Sequence, residues 1–248
     1  NLGIPHVGEL IFGSIDTPGL FQCLLVSETW KVLAENVLVK GWKGRMFEAC
    51  QNGDTKVVQL LLERCNSEES ELNIKDEDGL TPLMMACQEG HKGVVQLLLD
   101  HSDQNIDLNA RARGLTAFMK ACQEGHKDVV QLLLGYSDSR IDLNVTNNLG
   151  HSALILACRH DYKDVVKLLL DHSERIEMNA KGDNDGTAFM WACCNGHNDV
   201  VKLLLDHLDS NIDLNTRDPF GWTAFMLACS FGHKDVVQLL LDNSERID

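Results

Sequence analysis

The sequence is short of positive charge. It carries 22 Lys and Arg against 37 Asp and Glu, a net charge of −15 at pH 7 with a pI near 5.0. Phosphate backbones and anionic headgroups are bound by cations, so this balance argues against nucleic acid and acidic membranes as partners. A basic or mixed-charge protein suits it better. Long apolar runs are missing too: no stretch approaches the roughly 18 residues that a membrane-spanning helix needs. The opening "NLGIPHVGEL" has neither a basic n-region nor an apolar h-region, so no secretory signal is read there. It also lacks an initiator Met, and Asn1 is expected to mark a boundary rather than a natural start. The recurring "HKDVV" pairs His with Asp, but no nucleophile is positioned beside it, so no catalytic constellation, metal or cofactor is expected.

Cysteine is plentiful, and its placement is informative. Six of the nine, Cys50, Cys87, Cys122, Cys158, Cys193 and Cys229, each directly follow an alanine. They are one structural position seen six times. Packed helices lie roughly 8–10 Å apart, whereas a disulfide needs Cα atoms within about 7 Å. Equivalent cysteines on neighbouring repeats therefore should not pair. They read as small buried thiols in a reducing compartment, cytosolic and/or nuclear. Cys193, Cys194 and His197 resemble part of a zinc site, but the repeat already explains two of them and a structural zinc wants four ligands.

Aligned on those alanines, five phrases follow one another: "DGLTPLMMACQEGHKGVVQLLLD" (78–100), "RGLTAFMKACQEGHKDVVQLLLG" (113–135), "LGHSALILACRHDYKDVVKLLLD" (149–171), "DGTAFMWACCNGHNDVVKLLLD" (185–206) and "FGWTAFMLACSFGHKDVVQLLLD" (220–242). A degenerate copy, "KGRMFEACQNGDTKVVQLLLE" (43–63), precedes them. A period of 35 to 37 residues means a stacked array. Each unit predicts two short helices. Thr81, Thr116, Ser152, Thr187 and Thr223 stand where a hydroxyl caps the first, and Pro82 suits its first turn. Gly90 ends that helix where a left-handed residue is wanted, and "VVQLLL" forms the second. "IDLN" leads into a turn that reads as a protruding hairpin.

The T-P-L of 81–83, Ala86, Gly90-His91, "VVQLLL" and Asn109 together resemble the ankyrin repeat over residues 43 to 248. The resemblance implies an all-α solenoid with short β-hairpin loops, whose hairpin tips and first helices line a concave, protein-binding face. The sequence departs from that family's pattern in three places, one of them the loop after the second helix, "DHSDQNIDLN", which is longer than usual and lacks the family's Gly. Methionine or isoleucine (Met84, Met119, Ile155, Met190, Met226) replaces the histidine of T-P-L-H, so its hydrogen bonds are expected to be lost. Asp161-Tyr162 replaces Gly-His, which makes that loop the most strained or altered. The domain reading is a helical segment at 1–40, a degenerate repeat at 41–75, and repeats at 76–111, 112–146, 147–181, 182–217 and 218–248. The last is expected to be truncated, leaving Val236, Val237 and Leu239 facing solvent, with further repeats to follow.

Positions that repeat packing does not dictate are the candidates for function. Aromatics and Arg dominate interface hot spots. On that ground Lys120, Arg159, His160, Trp191, Phe220 and Phe231 are the expected target-binding residues. Most of them fall in the third to fifth of these repeats. Trp222 reads instead as a residue that braces its hairpin.

The segment ahead of the array is apolar at helical spacing, but about 40 residues are too few for a self-sufficient core. Asp16 is followed by Leu20, Cys23, Val26 and Trp30, and Ile4-Pro5 and Ile11-Phe12 precede it. This spacing resembles the F-box. The resemblance implies docking onto a Skp-type adaptor and through it a cullin, with Ile4, Pro5, Val7, Ile11 and Leu20 facing the adaptor and Trp30 inside the motif. The protein would then be a substrate receptor of a ubiquitin ligase. The alternative is an ankyrin scaffold or inhibitor whose N-terminal helices only cap the stack, through Trp42.

Overall fold

The computed structural model describes residues 41–64, 71–101, 106–136, 141–207 and 212–246. Ile4, Pro5, Val7, Ile11 and Leu20, and with them the F-box reading, lie outside these residues. The chain divides into two compact units at Asp107/Leu108. The first holds α1 (Trp42–Asn52), α2 (Thr55–Arg64), α3 (Pro82–Gln88) and α4 (Lys92–His101). Within it α1 packs on α2 and α3, and α2 on α4.

The second unit holds four helix pairs. They are α5 (Ala117–Gln123) with α6 (Lys127–Tyr136), α7 (Ala153–Arg159) with α8 (Lys163–Leu170), α9 (Ala188–Cys194) with α10 (Asn198–Asp206), and α11 (Ala224–Ser230) with α12 (Lys234–Asp242). First helices stack in one row, α5–α7–α9–α11, and second helices in another, α6–α8–α10–α12. No helix among the described residues is long and apolar enough to cross a membrane.

The first helices form because their caps are in place. Thr81, Thr116, Ser152, Thr187 and Thr223 each accept the backbone N–H three residues on, at 3.2 to 3.4 Å. Such a cap stabilises a helix by about 1 kcal/mol, which matters for a helix of seven residues. Pro82 occupies the first turn and Gly90 adopts φ +77°. Between the rows, the Ala-Cys pairs and the Val-Val pairs of successive repeats are buried, from Ala49-Cys50 to Ala192-Cys193 and from Val57-Val58 to Val200-Val201. Small residues on the first helix let the rows approach, and the branched pair fills the space between them.

Two ladders tie one repeat to the next. The histidine after the left-handed glycine donates Nε2–H to a carbonyl of the preceding repeat: His91 to Gln51 (2.8 Å), His197 to Arg159 (2.9 Å) and His233 to Cys194 (2.8 Å). The Asn of the inter-repeat loop accepts a backbone N–H one repeat later: Asp107 to Asn73 (2.9 Å), Asp142 to Asn109 (3.0 Å), Glu177 to Asn144 (2.8 Å) and Asp213 to Asn179 (2.8 Å). This histidine is thus an inter-repeat staple.

Three expectations need correction. The loops are turns, not β-hairpins: among the described residues the strand-like pairing is one isolated bridge, Ala112 to Leu115. The arms are too short for a ladder, and side chains take the remaining donors. Asp76, Asn147 and Asp218 each accept two N–H groups of their own turn through Oδ1. In the first of these repeats the methionine in place of histidine does not leave its donor bare, because Met84 Sδ accepts the Thr81 N–H at 3.5 Å. At the last repeat, Val236 is buried and Val237 and Leu239 are half-buried. The open positions are Met226 (44% exposed, against 2% for its counterpart Met190), Leu241 (48%) and Cys229, whose counterpart Cys193 is buried. Val236 and Leu240 point into their own repeat; Met226, Cys229 and Leu241 present the side that a neighbour covers elsewhere.

Candidate protein-binding site

The candidate site lies in the second unit, where α9, α11 and their leading loops meet. Trp191 on α9 and Phe231, which caps the C-terminus of α11, wall a cavity of about 180 Å³ together with Met190 and Leu227. Asp183, Asn184 and Asp218 from the turns close one side, with Gly186 and Cys194. The wall holds two carboxylates and no cation.

Trp191 is half-buried and braced from the preceding repeat. The Arg159 guanidinium lies 4.6 Å from its ring centroid, a cation–π contact. The ring of His151 meets it edge-on at 5.6 Å and 76°. His151 is itself buried and joined through Nε2 to Asp183 Oδ1. The indole Nε1 is buried without an acceptor among the described residues. A Cβ on Gly186 would stand 2.7 Å from that nitrogen, so only glycine lets the turn pass over the ring. The neighbouring Asn184 and Asp185 adopt φ +51° and +53°, and Asp185 stands where the equivalent turns place the left-handed Gly79, Gly150 and Gly221. The aromatic position is thus bought with local strain in the backbone.

Of the residues expected from sequence, Trp191 and Phe231 share the cavity and Arg159 backs it. His160 is exposed one turn away, stacked on Tyr162 at 6.0 Å; partial burial and the adjacent Arg159 lower its pKa. Phe220 is 78% exposed at a turn tip, and Phe231 61%. Neither Phe220 nor Lys120 belongs to the cavity wall, and Lys120 stands half-buried on α5. Trp222 is partly exposed, with its backbone N–H held by Asp218 Oδ1 at 2.8 Å.

Sequence reasoning missed His151, Asp183 and Asp218. The signal for His151 was its oddity, a histidine where equivalent turns carry Leu80, Leu115 and Trp222. The two aspartates gave no signal, because they meet only after the repeats stack.

Buried thiols complete the chemistry. Burial pushes Cys50 up to about 12 and raises Cys87, Cys158 and Cys193 as well. Thiols held protonated in apolar surroundings are poor nucleophiles. Cys194, at the cavity wall, is also raised by burial, with Arg159 opposing.

A family model described as "Ankyrin repeats (3 copies)" matches the chain in overlapping stretches, 46–147, 105–182, 137–218 and 174–248. The crystal structure of EF0377, described as an ankyrin repeat protein, is 27% identical and superposes with a TM-score of 0.68, covering 80% of this chain and 96% of that one. No curated protein matches by sequence. With paired helices at a period of 35 to 37 residues, inter-repeat ladders and a family match over residues 46–248, this chain belongs to the ankyrin-repeat family.

Proposed function

We propose that this chain is a non-catalytic protein-binding module whose target rests on the face around Trp191 and Phe231. The observation that carries this reading is the exposure of Phe231 beside a cavity walled by side chains that the repeat does not require. An exposed aromatic next to a cavity is an anchor for a partner rather than core. Phe231→Ala should lower capture of target proteins by the immobilised chain about tenfold or more and leave the thermal melt unchanged. Proteins retained equally by wild type and variant would remove this face from the binding reaction.

A second reading rests on residues 1–40. The Asp16, Leu20, Cys23, Val26, Trp30 spacing and the Ile4-Pro5 opening support docking to a Skp-type adaptor, which would make the chain a cytosolic or nuclear substrate receptor of a ubiquitin ligase. Its mechanism would be effective concentration, with the target held near a charged conjugating enzyme. The test is a binary pull-down with purified adaptor: wild type binds, and Pro5→Ala with Leu20→Ala does not. Absence of binding by wild type leaves the plain scaffold.

A further inference from the structure

We infer that the cavity between α9 and α11 receives one long basic side chain, lysine or arginine, from the bound protein. The inference rests on the binding-module reading above and names the chemistry of its occupant.

Size comes first. Pockets for drug-sized ligands run to about 300–1,000 Å³. At about 180 Å³ this cavity is below that range and suits a single side chain. Its lining decides which kind. Trp191, Met190, Leu227 and Phe231 give apolar walls that match a methylene stem. An unbranched stem also reaches past Phe231 without the breadth of an aromatic ring.

Charge then distinguishes a basic residue from leucine or methionine. Asp183 and Asp218 are the charged members of the wall. Asp183 Oδ1 accepts from His151 Nε2, and Asp218 Oδ1 accepts from the N–H groups of Phe220 and Trp222. Neither Oδ2 has a partner among the described residues, so each can accept from an ammonium or guanidinium group. A purely apolar occupant would desolvate these carboxylates and return nothing. Arg159 stacks on Trp191 from the preceding repeat and is absent from the wall, so inside the cavity the two carboxylates outnumber its single charge behind the ring. The net charge of −15 would speed encounter with a basic segment.

The test is a random dodecapeptide library displayed on phage and panned against the immobilised full chain, with counter-selection on Phe231→Ala. Retained peptides are synthesised and titrated by fluorescence anisotropy. The expected peptides contain one indispensable Lys or Arg, whose replacement by norleucine weakens binding about tenfold or more. The double variant Asp183→Asn, Asp218→Asn should reproduce that loss and flatten the salt dependence. Each Asn keeps the Oδ1 acceptor that its turn uses, and an unchanged melt confirms the fold. Peptides that depend on Phe231 yet tolerate norleucine, or bind the double variant as tightly, overturn the basic occupant while leaving the binding face in place. Failure to retain any Phe231-dependent peptide overturns both.

Discussion

At the scale of single residues, one loop position shows how the same backbone treats different side chains. Gly196 adopts φ +74°, and an added Cβ would stand 2.4 Å from His233 Nδ1. Its counterpart one repeat earlier is Asp161, which holds φ +63° with a Cβ present. Left-handed backbone costs a non-glycine residue about 1 kcal/mol. When His197 is protonated, Asp161 offsets part of that through its carboxylate, 3.8 Å from His197 Nδ1, but more than half of its side chain is exposed and such pairs contribute about 0–1 kcal/mol. Substitutions should therefore act in opposite directions. Gly196→Ala is expected to destabilise by more than about 1 kcal/mol, and Asp161→Gly to stabilise by about 0.5 kcal/mol, read from urea midpoints. A loss of stability in Asp161→Gly would mean the His197 contact outweighs the strain.

Thiol reactivity is also decided residue by residue. Cys229 is exposed, whereas Cys193, at the same repeat position, is buried with a raised pKa. Peptide-resolved labelling with iodoacetamide should modify Cys229 well before Cys193. Equal rates would show that the last repeat is covered in solution. The expectation of uniformly buried thiols fails at this one position because burial there needs a neighbour.

At the scale of elements, a seven-residue helix cannot stand alone, and its stability comes from caps and staples. Asn144 illustrates the second: Oδ1 accepts the Glu177 N–H at 2.8 Å and Nδ2 donates to the Arg175 carbonyl at 3.0 Å. Two such bonds contribute about 1–2 kcal/mol together. Asn144→Ala should lower the unfolding free energy from urea titration by that amount and speed hydrogen exchange at Glu177. Asn144→Asp, which keeps the acceptor and loses the donor, should fall between. The helix pairs, the Thr and Ser caps and the left-handed Gly90 were legible in the sequence, since each depends on residues a few positions apart. The Asn ladder was not read, because an exposed Asn in a loop looks the same whether it faces water or the next repeat.

At the scale of the whole molecule, the buried thiols act together. Cys50, Cys87, Cys158 and Cys193 keep their protons in the folded state above the pH at which unfolded thiols lose theirs, about 8.5. The folded state then binds more protons than the unfolded one. Stability is complete below about pH 8.5 and falls as pH rises toward the folded pKa, about 12 for Cys50. Each thiol contributes a slope of about 1.4 kcal/mol per pH unit. Under reducing conditions the urea midpoint should drop between pH 8 and 10, and Cys158→Ala should flatten that drop even though its cavity lowers the starting stability. An unchanged slope would assign the alkaline loss to other groups.

The sequence by itself determined the repeat, its two-helix unit, the caps, the buried Ala-Cys and Val-Val pairs and the family, because all of these follow from local spacing copied along the chain. It also pointed to Trp191 and Phe231 as positions that stacking does not require. Tertiary structure decided that these two share one cavity, that Arg159 and His151 brace the tryptophan, and that Asp183 and Asp218 supply its charge. It likewise placed Phe220 and Lys120 outside that wall. The physical reason is one of distance. Caps and packing periods act within a turn or two of chain, whereas the cavity is assembled from residues up to 48 positions apart, Asp183 to Phe231, which meet only when successive repeats stack.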